Sequence, residues 1–424
     1  MFERSVLPGG PRVISARLPG TRSLSVAVHV PVGSRHEDGP DAGLAHFMEH
    51  VTFRGTTTWP SSRAVSEAIE GVGGTANAAT DRESTVFWTR LPVREAELAF
   101  LILGELVLVP RLDGDDIRRE REIIVEEIRS YRDDPSQHVF GLWDTACFGD
   151  GPMGREIAGL EETVRALSDE RVRSFHRERY TADRMVVAVA GDLPHDRVVA
   201  LVAGAFGRGS GSLPPAAPAP DALPVRRYLP EARTTSQTNL CIGVPALRRD
   251  HPDQWALELL NAVLGEGGSS RLFLAVREEA GLAYDVHSFT TDYADAGTLQ
   301  VYAGVDPADL VRATGAILAE LAEELALTAT AVRRHLGTLG DLGLVAAHER
   351  APYGPSPKRG RGRPGSVYAL TDEGRAALDQ AYDDLALSAL AFIEQQFGPE
   401  AVEAFAVDRA RRLAGTMAPL PGDL

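Results

Sequence analysis

His46-Phe47-Met48-Glu49-His50 constrains this chain more than any other stretch of it. On a helix over about residues 42–54, His46 and His50 stand one turn apart and project from one face, as two imidazole ligands of a single metal must. Glu49 lies beside them, where its carboxylate takes a proton from a metal-activated water rather than ligating the metal. A hydrolytic zinc site wants three protein ligands and an open position, so the motif is one ligand short. The fold must therefore return a distant carboxylate to this helix.

Downstream, Asp116 to Tyr131 carries Ile117, Ile123, Ile124, Val125 and Ile128 among many charges, which reads as an amphipathic helix. Glu120 and Glu127 are seven apart and share a face, with Glu126 as a rival one position off it. H-x-x-E-H with a distant Glu is the inverzincin order. The whole pattern resembles the pitrilysin or insulinase-like metallopeptidases, which include the mitochondrial processing peptidases. That resemblance implies one Zn2+ per chain on His46, His50 and Glu127, the last being the Glu that closes E-R-x-x-x-x-x-E, with 76 residues between it and His50. It makes Glu49 the base and Glu120 an accessory acidic residue. A solvated helix face explains H-x-x-E-H alone, but chance would not add the distant partner.

Length and composition set the frame around this site. With 424 residues, 44% hydrophobic and 25% charged, the chain is of the soluble globular class and long enough for two to four domains. No apolar run has the length of a signal-peptide core near the start or of a membrane span later, so a cytoplasmic protein is expected. Cys147 and Cys241 are too few for a disulfide framework and read as buried small residues. A formal net charge of −16 argues against general nucleic-acid affinity over most of the surface.

Two strands are expected within residues 11–34, a helix over about 61–70, and a strand pair at 75–80 and 84–89. The resemblance makes the first strand of that pair an edge strand that holds an extended peptide substrate, near Asn77 and Ala78; an ordinary hairpin fits its composition equally well. Helices at about 93–108 and 114–132 and a buried strand over 184–192 complete a first domain, 1–207, followed by a Gly/Ser/Pro linker, 208–232. Residues 233–322 look like the first domain begun again, with Trp255–Gly265 in place of the metal helix and without its histidines. In the resembling peptidases an Arg and a Tyr seven apart reach from this half to the zinc site, and they fall on Arg277 and Tyr284.

Beyond about Leu321 the resemblance stops, leaving the second peptidase-like domain truncated. Residues 323–415 resemble the winged helix-turn-helix of bacterial repressors linked to iron–sulfur assembly, without their cluster-binding cysteines. Arg333 and Arg334 on its second helix and Lys358, Arg359, Arg361 and Arg363 on a basic wing are candidates for weak DNA contact, since residues 329–363 hold seven Lys or Arg against two Asp or Glu. A solvated basic loop with no partner is the alternative. A natural fusion and an artefactual join both account for the junction. The expected fold is α+β: two related peptidase-type domains followed by a winged helix. Two functions stand: a zinc endopeptidase acting on a peptide, and a DNA-binding regulator whose peptidase-like part is inert. Oligomeric state stays open, a dimer included.

Overall fold

The computed structural model describes residues 2–207, 218–220, 223–324, 345–348 and 367–370. Its strands are β1 (Glu3–Val6), β2 (Arg12–Arg17), β3 (Ser23–Val30), β4 (Thr75–Thr80), β5 (Thr85–Pro92), β6 (Val186–Gly191), β7 (Thr238–Pro245), β8 (Ala283–Asp292), β9 (Gly297–Val305), β10 (Val345–His348) and β11 (Val367–Leu370). Its α-helices are α1 (Leu44–Thr52), α2 (Ser62–Glu70), α3 (Ala96–Leu108), α4 (Gly114–Asp133), α5 (Pro135–Phe148), α6 (Glu161–Ala166), α7 (Asp169–Arg179), α8 (His195–Phe206), α9 (Gln254–Gly265) and α10 (Leu310–Glu324). Two compact units emerge. The first gathers residues 1–229, 239–262 and 287–303, and the second 230–238, 263–286 and 304 onward.

The first unit is built on a six-stranded mixed sheet, β1-β2-β6-β3-β5-β4, in which only β2 and β6 run parallel. Alternation decides which face is buried: Leu24, Val26, Val28 and Val30 of β3 point inward and are at most 1% exposed. Phe87 and Leu91 of β5 and Val187 of β6 join them, and α1, α3 and α8 cover this face. The sheet ends at β4, whose far side has no strand neighbour among the described residues. Its turn to β5 is pinned by the buried Arg35, which binds Glu83 at 2.6 Å and Asp295 at 2.8 Å.

The metal-motif helix is shorter than expected, nine residues rather than thirteen. Gly43 precedes it at φ 98°, a left-handed conformation, and a Cβ there would come within 2.5 Å of the Ala158 carbonyl oxygen, so glycine is required. Phe47 and Met48, between the motif's polar residues, are fully buried. Each contributes roughly 1.5–3 kcal/mol of burial and locks the helix so that His46, Glu49 and His50 share the opposite face.

β1 was not foreseen, and residues 273–279 form a π-helical turn. The helix α9 falls where the repeated pattern placed it, and β7 precedes it. β10 and β11 pair antiparallel on either side of the expected wing. Arg333, Arg334, Lys358, Arg359, Arg361 and Arg363 lie outside the described residues, as does most of the expected helix-turn-helix. Among the described residues no helix is long and apolar enough to cross a membrane.

Candidate metal centre

Two helices supply the donors. On α1, His46 is 9% exposed and its ring centroid lies 4.6 Å from that of His50. The second helix, α4, begins at the N-cap Asp113, whose side chain accepts from the Asp115 amide, and runs through Asp133 with Ile117, Ile124, Val125 and Ile128 buried. That apolar stripe turns Glu120 and Glu127 toward α1. Ligating atoms of His46, His50 and Glu127 all lie within 4.8 Å of one another. His46 Nε2 is 3.7 Å from one Glu127 oxygen and His50 Nε2 is 3.4 Å from the other.

Glu126, the rival ligand, points away: it pairs with Arg129 at 2.6 Å and its side chain is 70% exposed. Glu120 is buried beneath the donors instead of facing them. It accepts from His50 Nδ1 at 3.2 Å and from Arg54 Nε. A proton held on Nδ1 by Glu120 leaves Nε2 facing Glu127, the tautomer a metal-ligating histidine needs. Two imidazoles and a carboxylate converging in this way, one imidazole oriented by a buried carboxylate, fit a zinc ion.

Electrostatics agree with this arrangement. Burial pulls the His50 imidazolium down, but hydrogen bonds to Glu120 and Glu127 outweigh it and raise the group from 6.5 to about 9. His46 is lowered by burial and then by the charge of His50. Glu127 is held below the usual carboxylate range, chiefly by His50. Without metal, then, the pair carries a proton on His50 at neutral pH, and a cation must displace it. Zinc affinity is expected to rise by about tenfold per pH unit toward pH 9, as one proton leaves per metal bound. The His50 contribution to metal-free stability runs the other way, fully present below pH 6.5 and lost as pH rises through about 9. Zinc titrations against a competing chelator across pH 7–9 check this, and a flat profile contradicts it.

Several residues of the site carried no assignment from the sequence. Glu37, 3% exposed, accepts the amides of Gly43 and Ala45 at 2.9 and 2.6 Å and so caps the metal helix from outside; burial pushes its carboxyl up to about 8 against the pull of those amides. Tyr131, one turn beyond Glu127 on α4, lies close enough to help hold the Glu127 carboxyl low, after His50 and His46. Thr80, the last residue of β4, donates its hydroxyl to Glu49 Oε2 at 2.6 Å. The i, i+4 spacing could have disclosed Tyr131. Glu37 and Thr80 act through tertiary packing and leave no local signal.

Asn77 is exposed on β4 and Ala78 is 8% exposed, its amide accepted by the Asn77 side chain at 2.8 Å. Arg277 and Tyr284 belong to the second unit. There the Arg277 guanidinium lies 4.8 Å from the Phe273 ring centroid and 5.7 Å from that of Tyr284, which is 74% exposed.

Comparison with known proteins adds family context. Residues 12–161 match the model for insulinase (peptidase family M16), and residues 166–336 match that for the peptidase M16 inactive domain. All three candidate ligands fall in the first match. A protein of Mycobacterium leprae described as an uncharacterized zinc protease is 41% identical over 326 residues, 75% of this chain and 73% of that one. Another so described, from Mycobacterium bovis, is 39% identical over 328 residues, 76% and 75% of the two chains. Among solved structures, a protease from Helicobacter pylori superposes with a TM-score of 0.71 over 81% of this chain and 85% of that one, at 21% identity, a likeness of fold.

Proposed function

The chain belongs to peptidase family M16, the insulinase family, with two domains of M16 type and mixed helix and strand content, and from there we propose that it is a zinc-dependent endopeptidase of extended peptides or unfolded chains. The observation that carries this reading is the convergence of His46, His50 and Glu127 within 4.8 Å, with Glu49 on the same helix face. One zinc ion per chain, held by those three residues, would supply Lewis acidity toward water and the scissile carbonyl.

The chain's own groups do the rest. Glu49 takes the proton from the attacking water and returns it to the leaving amine. Glu120 keeps His50 in its ligating tautomer. An extended peptide adds to the open edge of β4 near Asn77 and Ala78, held through its backbone with little side-chain selectivity. For that the Asn77 side chain must leave the Ala78 amide. DNA binding forms no part of the proposed function.

Metal analysis with a quenched-fluorescence assay on an unstructured peptide tests the reading. We expect one zinc per chain, hydrolysis abolished by a chelator, and recovery on adding back stoichiometric zinc. Hydrolysis that survives complete metal removal would overturn it.

A further inference from the structure

Glu49 is not left to find its own orientation. Its Oε2 accepts from the Thr80 hydroxyl at 2.6 Å, while Oε1 accepts nothing from the described residues. Thr80 is itself held: its Oγ1 lies 3.4 Å from that of Thr85, which is fully buried and donates to the Val32 carbonyl at 2.9 Å. A hydroxyl on the sheet therefore fixes one carboxylate oxygen of the base and frees the other for a proton.

Thr80 is also a residue of the open edge. The Asp81 amide bonds the Ser84 carbonyl across the turn, so in an antiparallel pair the next residues, Thr80 and Thr85, form a non-hydrogen-bonded pair. The Ala78 amide, two residues back, turns away from β5 in the same way and is met by its neighbour's side chain. The Thr80 backbone thus faces the side on which a strand can add, while its side chain holds Glu49.

We infer that Thr80 is a positioning residue that couples peptide pairing along β4 to alignment of the base. This rests on the peptidase reading above. A peptide strand that bonds the Thr80 backbone restrains its χ1 and, through the hydroxyl, the Glu49 carboxylate. The aligned carboxylate serves the transition state more than the bound substrate, so the effect falls on kcat.

The test compares Thr80→Val, which keeps the β-branched shape and removes the hydroxyl, with Thr80→Ser, which keeps the hydroxyl. In zinc-loaded full-length protein, Thr80→Val is expected to lower kcat by about 10- to 100-fold, the rate equivalent of one hydrogen bond to a charged group. KM, zinc content and melting temperature should stay near wild type, and Thr80→Ser should keep most of kcat. Crystal structures of the variants give a readout independent of turnover: the Glu49 carboxylate rotated or disordered in Thr80→Val and in place in Thr80→Ser. Unchanged kcat in Thr80→Val beside an active wild type overturns the inference, as does a Glu49 carboxylate in its wild-type orientation in that crystal. An inactive wild type counts against the peptidase reading alone, and the crystals still decide the role of Thr80.

Discussion

Glu49→Gln is expected to keep its zinc and to lose peptide hydrolysis by about two to four decades, the usual worth of a positioned general base. The substitution is narrow in its effect. Glutamine matches glutamate in shape, its amide oxygen can still accept from Thr80, and none of the three metal donors is touched. What disappears is the capacity to take a proton from water. Metal content and turnover measured on one preparation separate base from ligand. Near-normal turnover would remove Glu49 from the chemistry, and loss of zinc would make it a ligand.

What was legible in the sequence is what local periodicity encodes. Leu24, Val26, Val28 and Val30 alternate with polar or small residues and do form β3 with its even positions inward. Ile117, Ile124, Val125 and Ile128 repeat at helical spacing and do bury one face of α4. Because His46 and His50 sit on one short helix and Glu120 and Glu127 on one long one, their shared faces follow from 3.6 residues per turn. The meeting of the two helices does not follow from spacing, and came from the family resemblance.

The illegible parts are those fixed by packing between distant segments. β1 is short and its residues mostly exposed, so it has no alternation to read and is held by pairing with β2. Glu37 reaches across a turn to cap α1, and Thr80 meets Glu49 from a strand 31 residues on. The family resemblance made Glu120 an accessory acidic residue, on the helix face it shares with Glu127. Burial and its bonds to His50 and Arg54 place it beneath the donors. A helical wheel gives direction but not depth. The same limit applies to residues 273–279, where apolar spacing could not show the wider π-turn.

Depth is also what separates the three glutamates of α4, and it predicts a graded response to losing each charge. Glu127 faces both imidazoles, Glu120 lies under one of them, and Glu126 pairs with Arg129 in solvent. Glu126→Gln breaks only an exposed ion pair, worth about 0–1 kcal/mol, and zinc affinity should not move. Glu120→Gln weakens the hold on His50 and should cost roughly 10- to 100-fold in affinity, as loss of a group that orients a ligand does. Glu127→Gln removes a donor outright, leaving two imidazoles where a catalytic zinc needs three protein ligands, and should cost more than that roughly 100-fold. Competition titrations on the three variants at one pH give the order directly. Equal zinc affinity in Glu127→Gln and Glu126→Gln would defeat the ligand assignment, and a larger loss in Glu120→Gln than in Glu127→Gln would exchange the roles of the two buried carboxylates.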